Sequence, residues 1–394
     1  MQQSTPGGKP PPLLFQPYTI RGVTLKNRLV LAPMVHYRAK EGVCGTFHTT
    51  HLGKFVLGGF GLVFTEAAAV EPRGMITELD LAIFNDAQAE AYKPLLGLAR
   101  EEGVAMAIQL AHGGRKAGMQ SAMEGNGPLS DKEVAKGRRR WTPVGPSTTP
   151  ISPEWPTPHQ LSTSEIADIV NAYAAAARRA VSVGFDVVEI HGAHGYLIAS
   201  FLSQVSNTRN DEYGGDREGR MRFPLEIAEA VRAAIPDETP LFFRVSSVDG
   251  TAEGWNMDDT VVLARELAAR GVDVLDCSSG GLMGSATAAP VTRAPGFQVA
   301  YAARAKKETD IRTMAVGLIL EAEQAEAILQ QGEADLIAIG RQAQFNPNIA
   351  LHWSHDLGLN TRFEDWPEEY GWWLEKRIRS MQGFATATGK LTKR

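Results

Sequence analysis

Eight short apolar runs, each followed by a helical stretch, recur along this chain from end to end. The runs are Leu29–Pro33, Leu62–Glu66, Ala105–Leu110, Val187–Ile190, Leu241–Val245, Val274–Cys277, Thr313–Val316 and Leu336–Ile339. They are short and rich in branched residues, as strands buried on both faces are. Between them lie stretches rich in Ala, Leu, Glu and Arg, among them Ala87–Glu102, Ser164–Val183, Gly219–Ala234, Met257–Arg270 and Glu321–Gln331. Ser164 with Glu165, and Asp258 with Asp259, read as helix starts, where side-chain oxygens meet free N–H groups. Gly103, Gly184, Gly271 and Gly332 read as helix ends that need a left-handed residue. Such alternation forces parallel strands covered by helices. Eight units predict an α/β fold closed into a (β/α)8 TIM barrel. No G-x-G-x-x-G follows the first strand, which continues Ala32-Pro33-Met34-Val35-His36-Tyr37.

The barrel is expected over residues 13–355. Residues 1–12, rich in Gly, Pro, Ser and Gln, read as a disordered tail, and residues 356–394 as a C-terminal extension. After the third strand the chain leaves the minimal barrel over residues 112–163. This stretch carries seven prolines and is expected to form a rim excursion, a small hairpin or lid. A second long connection runs from Leu197 to Glu218. Trp372-Trp373 in the extension are expected to dock on the chain's own core or on a neighbouring subunit.

The net charge of -5, with no long basic run, argues against a nucleic-acid partner, and Arg138-Arg139-Arg140 reads as a solvated loop. Two cysteines, Cys44 and Cys277, are too few for a disulfide framework or a four-thiolate iron–sulfur cluster. The expected compartment is cytoplasmic. No apolar run nears the roughly 20 residues that span a bilayer, and no signal peptide is evident, so no membrane association is expected.

The chemistry concentrates in His191-Gly-Ala-His194-Gly-Tyr196, just past the fourth strand. The rim at the strands' C-terminal ends is where barrels place their active sites. Two imidazoles can bind one carbonyl oxygen, and a phenol can deliver a proton. A metal pair or satisfied core histidines are the alternative, but no third ligand is evident and no metal is expected. Gly317 after strand seven and Gly340-Arg341 after strand eight suit a phosphate, because glycine admits an oxygen to the backbone and arginine adds a forked cation. Gln109 and Arg244 interrupt apolar strands. An amide and a guanidinium there suit the edge of a flavin ring; a backbone-bonded amide and an internal salt bridge remain open.

Several segments in order resemble one known family. They are Asn27-Arg-Leu-Val-Leu-Ala-Pro-Met34, Gln109-Leu-Ala-His-Gly-Gly-Arg115, Glu189-Ile-His-Gly-Ala-His-Gly-Tyr196, Phe201-Leu-Ser203, Asn207-Thr-Arg-Asn-Asp-Glu-Tyr-Gly-Gly215, Arg220-Met-Arg-Phe223 and Ile339-Gly-Arg341. From Leu14 to Asn348 the chain resembles the old yellow enzymes, FMN-dependent ene-reductases, and within them the thermophilic-like group. The resemblance implies non-covalent FMN, with NADPH or NADH as hydride donor and small electron-poor alkenes as substrates. Pro33, Met34 and Val35 would line the flavin near N5. Ala67, Gln109 and Arg244 would bind its ring system, and Gly317, Gly340 and Arg341 its phosphate, with Ser279-Gly-Gly281 close by. His191 and His194 would hold the substrate oxygen, Tyr196 would protonate the substrate carbon, and Tyr37 would contact substrate.

The chain also departs from the pattern. Val35 stands where relatives commonly carry a cysteine that tunes the flavin potential. His36 is unusual and receives no role. Tyr370 stands where many relatives have an arginine reaching into a partner's site, so a contribution from Tyr370 or Trp372 is expected only if the chain forms the family's homodimer or larger even assembly. Rival readings are a flavin barrel acting on a nitro ester or quinone, a non-catalytic flavin carrier, and a non-redox phosphate-binding barrel lyase. A Schiff-base version of the last would want a strand lysine, and the eight strands contain none.

Overall fold

The computed structural model describes residues 10–283, 292–359 and 362–388. Most of the expected tail, residues 1–9, lies outside them. Eight parallel strands form a closed ring: β1 (Leu29–Leu31), β2 (Leu62–Ala69), β3 (Ala105–Ala111), β4 (Val187–Gly192), β5 (Leu241–Ser246), β6 (Val274–Ser278), β7 (Arg312–Val316) and β8 (Leu336–Ile339). Pairing of Val30 with Leu62 on one side and with Ala338 on the other closes it. The fold is the (β/α)8 barrel expected from the alternation.

Each strand buries both faces, and period-two alternation sorts its residues. Val30, Phe64, Ala107, Val187, Phe242, Val274, Met314 and Leu336 fill the barrel interior. Leu29, Leu31, Val63, Ile108, Val188, Phe243, Leu275 and Ile337 face the helices. A hairpin of Tyr18–Ile20 and Val23–Leu25 adds Ile20 and Leu25 to the interior cluster. The opposite, C-terminal rim is therefore where polar side chains can gather.

The helices after the strands are α1 (Thr46–Leu57), α2 (Lys93–Glu101), α3 (Thr163–Val183), α4 (Arg217–Ala234), α5 (Met257–Ala269), α6 (Val299–Glu308), α7 (Ala322–Gln330) and α8 (Ile349–Asp356), with α9 (Glu368–Thr388) beyond the barrel. Three expected boundaries shift for local reasons. The start of α3 is capped by Ser162, not Ser164: its Oγ accepts from Glu165 N at 3.3 Å, and Glu165 Oε2 accepts from Ser162 N at 2.9 Å. The start of α5 is capped by Asn256, whose Oδ1 accepts from the N–H groups of Asp258 and Asp259. The stretch Ala87–Glu102 splits into Asp86–Glu90 and α2, with Pro94 in the first turn of α2, where its missing N–H breaks no helical bond. The four glycines expected to end helices all have left-handed φ.

In the rim excursion Val144–Gly145 pairs in parallel with His159–Gln160, and Met119 bridges Pro128 antiparallel. Arg138 there is not simply solvated; it pairs with Glu78 and Glu124. The aromatics of α9 do not dock on the barrel: Tyr370, Trp372 and Trp373 are 50%, 52% and 64% exposed.

Candidate functional site

A cavity of about 640 Å³ opens at the C-terminal rim. The residues assigned to the flavin, its phosphate and the substrate line it: Pro33, Met34, Val35 and Tyr37 after β1, Ala67 on β2, Gln109 on β3, His191, His194 and Tyr196 on and after β4, Arg244 on β5, Gly317 after β7, and Gly340 and Arg341 after β8. Of Ser279-Gly-Gly281 only Ser279 does, and Tyr370 and Trp372 do not. Residues far apart in sequence meet because parallel strands deliver their C-terminal ends to one mouth.

The two imidazoles form a defined pair. His191 Nδ1 accepts the N–H of Ala193 at 3.3 Å, which leaves its proton on Nε2. Gln298 Nε2 donates to Ser278 Oγ at 3.2 Å, so the Ser278 hydroxyl is free to donate to His194 Nε2, 2.8 Å away. The His194 proton then sits on Nδ1. His191 Nε2 and His194 Nδ1 lie 3.4 Å apart, so two N–H groups face one acceptor position. Burial, reinforced by the Arg244 charge, holds both imidazoles well below the usual histidine range, which keeps them neutral.

His194 is held in a left-handed conformation, φ 60°, which is uncommon for a side chain of its size. Its N–H donates to Ser246 Oγ at 2.9 Å and its carbonyl accepts from Lys116 Nζ at 2.8 Å. Lys116 is fully buried and also donates to the carbonyl of Gly281. Gly281 packs against the backbone of His194 so closely that a Cβ there would lie 2.7 Å from His194 Cα. The strained residue is thus over-determined by its surroundings, the pattern expected of a functional position.

The ring of Tyr196 stands edge-on to His191, with centroids 5.1 Å apart. Burial raises its phenol far above the ordinary tyrosine range, so it stays protonated at neutral pH. Tyr37, also at left-handed φ, is pushed up to about 12, chiefly by burial.

His36, which the sequence left without a role, ties this rim together. The pairing of β2 with β3 slips between Phe64 and Ala67. The irregularity puts the small Ala67 on the cavity and leaves Glu66 free to bind elsewhere. Glu66 Oε2 accepts the His36 N–H at 2.9 Å, and Oε1 lies 3.2 Å from His36 Nδ1. His36 Nε2 meets Gln344 Nε2 at 2.7 Å, in the turn of helix that begins at Arg341. The loop carrying Val35 and Tyr37 is therefore clamped to the segment carrying Arg341.

Sequence reasoning missed Ser278, Lys116, Gln298, Glu189 and Asp276. Glu189 and Asp276 were visible as charges inside apolar strands, the same signal that picked out Arg244. Lys116 and Gln298 carry no such mark, because only the packing of separate loops gives them partners.

The chain matches the model of the NADH:flavin oxidoreductase / NADH oxidase family over residues 13–360. It is 41% identical over 351 residues to an NADPH dehydrogenase of Bacillus cytotoxicus, covering 89% of this chain and 94% of that one. It is 40% identical over 339 residues to an NADPH dehydrogenase of Bacillus subtilis, covering 86% and 93%. Among solved structures, morphinone reductase in complex with tetrahydroNAD superposes with a TM-score of 0.72 at 27% identity, covering 90% of this chain and 93% of that one.

Proposed function

The chain belongs to the NADH:flavin oxidoreductase / NADH oxidase family and is an FMN-dependent NAD(P)H oxidoreductase of the old yellow enzyme type, and from that premise we propose that it reduces electron-poor alkenes: α,β-unsaturated carbonyl and nitro compounds. The observation that carries this reading is the pair of N–H groups of His191 and His194, 3.4 Å apart between their nitrogens, sharing one cavity with a protonated Tyr196.

The residues fit FMN. Gly317 and Gly340, which carry no side chain, and the cationic Arg341 all line the cavity, so backbone and a guanidinium can face a phosphate there. In the proposal, Gly317, Gly340 and Arg341 hold the phosphate, while Gln109, Arg244, Ala67 and the Pro33–Val35 loop hold the ring system. FMN, when bound, would supply the hydride chemistry that links NADH or NADPH to the alkene.

The chain's own residues do the rest. His191 Nε2–H and His194 Nδ1–H donate to the carbonyl or nitro oxygen of the substrate. Negative charge builds on that oxygen as the β-carbon is reduced, so these two bonds strengthen towards the transition state. Neutral imidazoles keep the site from binding simple anions as tightly. Tyr196 gives its phenolic proton to the α-carbon, and such general acids contribute about 10²–10⁴-fold.

The test is an anaerobic double-mixing experiment. Enzyme bleached with one equivalent of NADPH is mixed with 2-cyclohexenone, N-methylmaleimide or a nitroalkene. Recovery of the yellow spectrum with stoichiometric saturated product supports the reading; reoxidation by dioxygen or quinone alone, with every alkene returned intact, sinks it.

A further inference from the structure

Below the imidazole pair, among the described residues, the barrel interior holds two carboxyls, Glu189 and Asp276, beside one guanidinium, Arg244. Gln109 and Glu189 face each other in register, as do Arg244 and Asp276. Glu189 and Asp276 are both fully buried, and Arg244 is 8% exposed. Gln109 Nε2 donates to Glu189 Oε1 at 2.8 Å, but Glu189 Oε2 has no hydrogen-bond partner. Arg244 Nε lies 3.1 Å from Asp276 Oδ2, yet neither Asp276 oxygen is in an aligned hydrogen bond. Two ionised carboxylates on one guanidinium would leave a net negative charge in an interior otherwise filled by Phe64, Val187, Phe242 and Val274. Buried charge of that kind is neutralised by a proton. The other titratable groups facing this layer are His191, His194 and, through the rim loops, Lys116, and none of them supplies the missing cation: both imidazoles are neutral, and Lys116 is turned to the carbonyls of His194 and Gly281.

We propose that Glu189 and Asp276 form a proton-sharing pair that takes up one extra proton each time the bound cofactor is reduced. While FMN is oxidised, Arg244 balances one carboxylate and the other carboxyl keeps its proton. Reduction by a hydride adds two electrons and a negative charge to the cofactor, which competes for the Arg244 guanidinium that lines the same cavity. The remaining carboxylate loses its counter-charge and becomes more basic. One proton passes from solvent to an oxygen of Glu189 or Asp276, forming an O–H bond, and leaves again on reoxidation. Electrons come only from NAD(P)H, and the extra proton only from water. The direction of both carboxyls agrees: burial raises each above the ordinary carboxylate range, with Asp276 raising Glu189 further and Arg244 opposing. Glu189 and Asp276 are positioning residues here, acting on the cofactor through Gln109 and Arg244.

The FMN holoenzyme is titrated by spectroelectrochemistry between pH 6 and 9.5, and infrared difference spectra are taken between its oxidised and reduced forms. One extra proton per two electrons changes the equilibrium tenfold per pH unit, so the midpoint potential falls more steeply by about 30 mV per pH unit within the titration window. A carboxylic acid C=O band grows on reduction. Glu189→Gln or Asp276→Asn alone leaves the one carboxylate that Arg244 balances, so each is expected to keep the added slope; Glu189→Gln/Asp276→Asn together remove both carboxyls and are expected to abolish the added slope and the band. An unsteepened wild-type slope with no carboxyl band overturns the proposal without any variant, as does a steep slope that survives in the double substitution. No alkene enters these measurements, so their failure leaves the substrate assignment standing, and the reverse holds.

Discussion

Replacing Ser278 by alanine removes one hydroxyl whose role is to hold His194, and it should slow the enzyme. Ser278 Oγ accepts from Gln298 and lies 2.8 Å from His194 Nε2, where its hydroxyl proton can be donated. Without it, His194 is free to carry its proton on Nε2, and the donor facing the substrate oxygen becomes an acceptor. The imidazole remains, so the productive tautomer is still reachable at the cost of about one net hydrogen bond, roughly 0.5–1.5 kcal/mol. At about 1.4 kcal/mol per tenfold, the rate falls roughly 2- to 10-fold. His194→Ala removes the donor outright and should cost about 10²–10³-fold, as loss of one oxyanion donor does elsewhere. The assay is stopped-flow reoxidation of the reduced enzyme by 2-cyclohexenone, with the NADPH half-reaction as the internal control. Ser278→Ala should leave that control unchanged, and a ¹⁵N spectrum should show the His194 proton moving from Nδ1. A wild-type oxidative rate in Ser278→Ala, or one as slow as His194→Ala, would refute the tautomer argument.

Tyr196→Phe should retain FMN and its reduction by NADPH but slow reoxidation by the enone about 10²–10⁴-fold; an unchanged reoxidation rate removes Tyr196 as proton donor. Gly317→Ala combines a φ of 117° with a Cβ 2.6 Å from Gln298 Oε1, so it should weaken FMN binding at least about tenfold in apoprotein reconstitution followed by flavin fluorescence. Native affinity there would put the phosphate elsewhere. His191 and His194 are both held neutral when folded, so their folded pKa values lie below the unfolded ones. Below about pH 6.5 the unfolded chain binds protons that the folded chain refuses. Their contribution is complete above that pH and is lost on acidification towards the folded pKa values, by up to about 1.4 kcal/mol per pH unit for each histidine. Denaturant unfolding of the apoprotein between pH 5 and 7.5 should show this slope, and His191→Asn/His194→Asn should flatten it; an equal slope in the variant places the titrating groups outside the pair.

Much of this molecule is legible one residue at a time. A strand buried on both faces must be apolar throughout, so eight such runs alternating with helical stretches already specify a closed barrel. The same rule exposes Gln109 and Arg244, because a polar side chain in such a strand needs a partner; applied to Glu189 and Asp276, which were passed over, it would have exposed them too. The motif from His191 to Tyr196 follows a strand directly, so its place on the rim is readable too. What sequence reasoning could not order were the helix starts at Ser162 and Asn256, where several neighbouring polar residues compete to cap the same N–H groups.

The chain order of strands and helices, set by local apolar periodicity, determined the barrel and named its catalytic rim. Only the folded structure decided which nitrogen of His194 carries the proton, that His36 clamps two loops through Glu66 and Gln344, and that Lys116 holds a strained backbone in place. Those depend on groups distant in sequence meeting within about 3 Å, and hydrogen bonding at that range has no periodic trace along the chain.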